Sequence, residues 1–148
     1  MSPSPASLEM IGKLIAFDTT SRNSNLELIE FVRGYLAGLG VESQLVHDAE
    51  GRKANLYATL GPLDKPGIAL SGHTDVVPVD GQDWSSDPWK VSARDGRLYG
   101  RGASDMKSFL AIALAFAPEF VRRGLHTPIH IALSYDEEIG CVGVRRLL

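Results

Sequence analysis

The sequence has few of the features that mark secreted, membrane or nucleic-acid-binding proteins. Its one cysteine, Cys141, cannot form a disulfide within the chain, which is typical of a reducing compartment. No apolar run approaches the length that spans a bilayer, and the first residues show neither a basic start nor a signal-type core. The net charge of −3 argues against a nucleic-acid binder, which usually carries a basic patch. We therefore expect a cytoplasmic protein without nucleic-acid or membrane partners.

The 148 residues suffice for one domain with a sizeable core. Predicted helices and strands alternate, which indicates an α/β protein with a largely parallel sheet and an antiparallel edge. Residues 1–6 predict a flexible lead-in, followed by a helix that Ser7 caps. The apolar run 67–71 is predicted to be a central strand covered on both faces. Further strands are predicted at 41–46, 55–60, 89–93, 97–99 and 129–135.

Three groups of polar residues lie where such a sheet binds its ligands. His73 and Asp75 follow a short apolar strand, Glu137 and Glu138 follow another strand, and Asp105 precedes a long helix after a glycine-rich bend. Open α/β sheets bind ligands beyond the carboxyl ends of their strands. Two adjacent carboxylates at the end of a buried strand repel each other, and a cation stabilises them. The shared placement favours a metal site.

Each of these residues also has a plainer explanation. His73 fits an ordinary surface or hydrogen-bonded polar residue, Asp105 fits a helix N-cap, and the glutamate pair fits a solvated surface. Spacing alone leaves these alternatives open. The absence of a G-x-S-x-G motif leaves serine-hydrolase chemistry without support.

Several stretches taken together resemble the M20 family of co-catalytic zinc metallopeptidases and amidohydrolases. They are residues 71–78 (SGHTDVVP), 84–89 (WSSDPW) and 95–107 (DGRLYGRGASDMK). Residues 78–84 (PVDGQDW) and 133–141 (LSYDEEIGC) are most similar to the branch of that family that deacetylates N2-acetyl-L-ornithine. The resemblance implies a three-layer α/β/α zinc-peptidase-like domain with a mostly parallel mixed sheet, incomplete at its C-terminal end.

The resemblance also implies a role for each candidate residue. His73 binds one zinc ion, Glu138 binds a second, and Asp105 bridges the two. Asp75 orients His73, and Glu137 is the general base that takes a proton from the attacking water. The implied cofactor is Zn²⁺, two ions per complete site, with Co²⁺ able to substitute. In this family the peptide bond after the bridging aspartate is often cis.

The implied reaction is hydrolysis of N2-acetyl-L-ornithine to L-ornithine and acetate, a step of arginine biosynthesis carried out by a homodimer. Family chains are more than twice as long, and their later parts supply further metal ligands and a lid and dimerisation domain. We therefore expect residues 1–148 to be the N-terminal part of the catalytic domain, with weak zinc binding and little activity alone.

Two other readings of the sequence stay open. The metal residues are shared with succinyl-diaminopimelate desuccinylases and with related aminoacylases and carboxypeptidases. In a different class, the chain is a non-catalytic truncated fragment whose exposed apolar surface makes it associate.

Overall fold

A computed structural model describes residues 4–148 of the chain. Helices and strands are mixed along the chain, but they come as two helices, five strands, a helix and a strand, so the predicted alternation is not met. In chain order they are α1 (Pro5–Ile15), α2 (Leu26–Ala37), β1 (Ser43–His47), β2 (Ala54–Leu60), β3 (Ile68–His73), β4 (Ser92–Arg94), β5 (Arg97–Tyr99), α3 (Lys107–Arg123), β6 (Ile129–Ser134) and a 3-10 turn (Val144–Arg146).

The first helix begins earlier than the sequence suggested. The Ser4 hydroxyl accepts a hydrogen bond from the Ser7 amide at 3.1 Å, and Pro5 occupies the first helical position, where no backbone N–H is needed. Ser7 is therefore a buried helical residue, and the prediction that it caps the helix is wrong. Of the predicted lead-in, residues 1–3 lie outside the described part of the chain.

The main sheet is mixed, with the strand order β1-β2-β6-β3. The β1–β2 and β2–β6 pairs are antiparallel, and β3 and β6 run parallel. The mixed α/β class is thus confirmed, although parallel pairing is limited in residues 4–148 to one pair. In this part of the chain β3 is an edge strand with Ile68 62% exposed, so the prediction of a central strand covered on both faces is not met.

One hydrophobic core joins the helices to one face of this sheet. Alternate residues of β2 point into it, namely Leu56, Ala58 and Leu60, whereas Tyr57 and Thr59 between them are half-buried. Residues of all three helices belong to the same core. Residues 4–148 therefore supply the sheet and one helical layer of the implied three-layer arrangement.

The third helix is the longest and leads away from the sheet edge that carries the polar residues. Its buried positions repeat at helical spacing and include Leu110, Leu114 and Ala117. Gly124 ends it in the left-handed conformation, with φ of 64°. Among residues 4–148, no helix combines the length and apolar character required to cross a membrane.

Replacing Leu114 by alanine should lower the free energy of unfolding by about 3 kcal/mol, because its side chain is fully buried in the core that the helices share with the sheet. Ile112→Ala on the same helix is the matched control. That side chain is 42% exposed, so its loss should cost less than about 1 kcal/mol. Urea denaturation at neutral pH measures both. Equal losses would mean that α3 does not present Leu114 to the core.

Candidate metal centre

The carboxyl ends of β3 and β6 lie side by side and carry two of the three polar groups. The strands pair in parallel, with His73 opposite Ser134 at their ends, and the Thr74 amide donates to the Ser134 carbonyl at 2.8 Å. Glu137 and Glu138 follow in the turn after β6. The sheet register therefore brings together residues that are more than sixty positions apart in sequence.

The third group, Asp105, comes from the segment that leads into α3. Gly102 in this segment has a φ of +79°, and a Cβ placed on it would lie 2.9 Å from the Val76 side chain, so only glycine fits. The peptide bond after Asp105 is cis, as the resemblance implied. The Asp105 side chain is 72% exposed, yet one of its carboxylate oxygens lies 3.0 Å from Nε2 of His73.

His73 is the most enclosed of the predicted metal ligands and is only 4% exposed. Its Nδ1 lies 2.9 Å from the backbone carbonyl of Asp75 and 3.5 Å from the carboxylate of the same residue. Its Nε2 faces Asp105 and lies 3.6 Å from a carboxylate oxygen of Glu137. In the neutral ring, an Nδ1–H donated to the Asp75 carbonyl would leave the lone pair of Nε2 available to a cation placed between it and the carboxylates.

Asp75 is also buried, and its carboxylate accepts hydrogen bonds from three separate donors. One oxygen accepts from the amide of Glu137 at 3.0 Å. The other accepts from the amide of Glu138 at 3.2 Å and from the hydroxyl of Ser21 at 2.8 Å. Asp75 thus contacts both His73 and the turn that carries the glutamate pair. The sequence predicts only the contact with His73.

The pKa values of this cluster reflect the crowding of charges. Burial lowers the pKa of His73, but hydrogen bonds with Asp75 and Asp105 outweigh it and raise that pKa from 6.5 to about 9. Burial, followed by the charge of Asp105, raises the pKa of Glu138. Burial also raises the pKa of Asp75, but hydrogen bonds from His73 and from the amide of Glu137 outweigh it and lower that pKa.

The donor set fits a divalent cation. One potential ligand atom from each of His73, Glu137 and Glu138 lies within 4.8 Å of the others, and Asp105 lies beside His73. Imidazole nitrogen and carboxylate oxygen are donors that zinc accepts, and zinc sites in proteins are built from such groups. Carboxylates gathered around one imidazole are an arrangement that a cation stabilises.

Sequence reasoning missed the residues that support the cluster from the connection between α1 and α2. Ser21 contacts Asp75, and the Thr19 hydroxyl donates to the Thr74 carbonyl at 2.5 Å. Lys107, fully buried at the start of α3, donates to the Phe17 carbonyl at 2.7 Å. The sequence of this connection indicates only a break in the helical pattern, and nothing in its spacing relates it to His73.

Known proteins are similar to this chain in both sequence and fold. A model of Peptidase family M20/M25/M40 matches residues 69–148. The chain is similar to the acetylornithine deacetylase of Pasteurella multocida (strain Pm70), with 36% identity over 155 residues that cover 100% of this chain and 40% of the relative. It is also similar to the succinyl-diaminopimelate desuccinylase of Parvibaculum lavamentivorans, with 44% identity over 119 residues that cover 77% of this chain and 30% of the relative.

The fold is similar to that of the M20 family metallo-carboxypeptidase Sso-CP2 from Sulfolobus solfataricus. The TM-score is 0.81 at 24% sequence identity, over 95% of this chain and 33% of that one. The chain spans about 40% or less of the length of these three proteins.

The raised pKa of His73 predicts how the stability of the metal-free protein, prepared with a chelator, depends on pH. The stabilising contribution of protonated His73 is fully present below pH 6.5, its unfolded pKa, and is lost as the pH rises through about 9. The cost of His73→Gln in urea denaturation should therefore fall from pH 6 to pH 9, by an amount on the order of 2 kcal/mol.

Comparing wild type with this variant at each pH separates His73 from other titrating groups. Among them is Lys107, whose pKa burial lowers to about 8. A cost of His73→Gln that is constant or grows with pH would contradict the prediction.

Proposed function

The chain belongs to Peptidase family M20/M25/M40, and we propose that it forms part of a zinc-dependent amide hydrolase that converts N2-acetyl-L-ornithine and water to L-ornithine and acetate. The observation that carries this proposal is the convergence of His73, Asp105, Glu137 and Glu138 at one edge of the sheet. An imidazole and three carboxylates from separate segments form a donor set for metal-assisted hydrolysis.

Three of these side chains would hold the metal. His73 and Glu138 would each provide one donor, and Asp105 would provide the carboxylate shared by the two ions. When bound, zinc supplies a Lewis acid that polarises the scissile carbonyl and makes water easier to deprotonate. Asp75 holds the His73 ring in place through its carbonyl and carboxylate.

Glu137 is the proposed general base. Its side chain is 43% exposed, so its carboxylate is open to a water molecule, while its amide is fixed by Asp75. It takes a proton from water as the new C–O bond forms at the acetyl carbon. It then delivers that proton to the departing nitrogen as the C–N bond breaks, which releases the free amine and acetate.

The similarity to the Pasteurella multocida enzyme, which extends over the whole chain, supports acetylornithine as the substrate. This substrate would place the protein in arginine biosynthesis, in the cytoplasm. The similarity to the Parvibaculum lavamentivorans enzyme supports a second candidate, hydrolysis of succinyl-diaminopimelate. Both reactions cleave a linear amide, and both would use the same metal-site residues.

We further propose that residues 1–148 alone bind zinc weakly and turn over little substrate. Residues 4–148 place four candidate metal-binding or catalytic side chains together, and the chain spans about 40% of the length of the Pasteurella multocida relative. We also predict that a longer form of the protein is a homodimer.

The purified 148-residue chain supplied with Zn²⁺ or Co²⁺ should hydrolyse acetylornithine at least about 100-fold more slowly than the Pasteurella multocida enzyme under the same conditions, because it corresponds to 40% of that enzyme's length. Fusion to the C-terminal remainder of that enzyme should restore turnover, with acetylornithine preferred over the succinyl substrate. Turnover by the chain alone at the rate of the relative would contradict the first expectation. Preference of the fusion for the succinyl substrate would select the second candidate.

The roles within the glutamate pair can be separated by metal binding. Glu138→Gln should weaken Co²⁺ binding at least about tenfold, because it removes a proposed ligand, whereas Glu137→Gln should change it less than about twofold. The visible absorption of bound Co²⁺ measures both variants in the 148-residue chain. The opposite order would exchange the roles of the two glutamates.

A further inference from the structure

A closed ring of contacts runs behind the candidate metal centre. Asp75 accepts from the hydroxyl of Ser21 at 2.8 Å, and the carbonyl of Ser21 accepts from Nζ of Lys53 at 2.5 Å. The same ammonium donates to Asp136, the residue before Glu137, and the amide of Glu137 donates back to Asp75 at 3.0 Å. We call Asp75, Ser21, Lys53, Asp136 and Glu137 the buttress ring.

Lys53 joins two segments of this ring that are remote in sequence. It precedes β2, whereas Ser21 lies between α1 and α2, and Asp136 follows β6. The side chains of Lys53 and Asp136 are only 12% and 11% exposed. Removing one partner of such an enclosed ion pair leaves the other charge buried without compensation, so the two groups hold each other in place.

The turn that Lys53 contacts contains a residue with an uncommon backbone conformation. Asp136 has a φ of 54°, in the left-handed region, which aspartate enters more often than most non-glycine residues but less readily than the right-handed region. The turn also brings the carboxylates of Glu137 and Glu138 near that of Asp75. Lys53 is the cation of the buttress ring, and it offsets this repulsion from behind the site.

We propose that Lys53 is a positioning residue: through Asp136 and Ser21 it fixes the turn that carries Glu137 and Glu138 and keeps their amides on Asp75. It does not touch the candidate ligands itself. Its effect on metal binding rests on the function proposed above, whereas its effect on the turn does not.

The direct test measures amide hydrogen exchange by NMR in the 148-residue chain. Lys53→Met should accelerate exchange of the Glu137 and Glu138 amides at least about fivefold relative to the amides of β6, because loss of the buttress ring frees the turn but not the sheet. Asp136→Asn, which removes the carboxylate that pairs with Lys53, should act in the same direction. It tests the same contact if Lys53→Met does not fold.

Arg22→Met is the matched control, because Arg22 adjoins Ser21 and pairs with Asp80 at 2.7 Å in an exposed ion pair outside the buttress ring. It should leave both amides unchanged. The proposal is overturned if Lys53→Met and Asp136→Asn leave the two amides as protected as in wild type. It is also overturned if they accelerate these amides no more than the β6 amides, because the effect would then be one of general stability.

Co²⁺ titration of the same variants separates this proposal from the proposed function. Lys53→Met should weaken binding roughly tenfold, the effect typical of residues that orient metal ligands, and Arg22→Met should not. If wild type binds no Co²⁺ while the exchange pattern holds, the proposed function fails and the positioning role stands. If Co²⁺ binds equally to wild type and Lys53→Met and exchange is unchanged, the positioning role fails and the proposed function stands.

Discussion

The buried carboxylate of Asp75 is the group on which the arrangement of the site depends. It lies between the ends of two parallel strands and accepts hydrogen bonds from the Glu137 amide, the Glu138 amide and the Ser21 hydroxyl. A carboxylate this enclosed is stable only when its oxygens accept hydrogen bonds. The three donors are therefore fixed in position around Asp75. One side chain thereby sets the distance between the histidine on β3 and the glutamates after β6.

The surrounding charges explain why such a site requires support. Acidic side chains from three segments approach His73 and lie near one another. Burial and then the charge of Asp105 raise the pKa of Glu138, and hydrogen bonds with Asp75 and Asp105 raise the pKa of His73. A cation at this edge of the sheet would relieve the repulsion, and this is the physical basis of the proposed hydrolase. The two buried lysines, Lys53 and Lys107, lie behind the site and add positive charge without contacting the candidate ligands.

The α/β class and the placement of His73 and the glutamate pair could be predicted from the sequence. Polar residues that follow apolar strands lie at the carboxyl ends of those strands, where open α/β sheets bind their ligands. The sequence did not allow the position of β3 to be predicted. The apolar residues of that strand indicate burial, but pairing partners decide whether a strand is central, and in residues 4–148 β3 pairs with β6 alone. Ser21 and Lys53 were missed because their contacts join positions far apart in sequence, which no local pattern encodes.

X-ray absorption at the zinc edge of the zinc-loaded chain tests the central claim most directly. The account predicts a shell of oxygen and nitrogen donors that includes an imidazole at roughly 2.0–2.1 Å, the distance typical of zinc bound to histidine, and its loss in His73→Gln. A sulfur donor at roughly 2.3 Å, for which Cys141 is the available thiolate, would contradict it. So would an imidazole signal that survives the removal of His73.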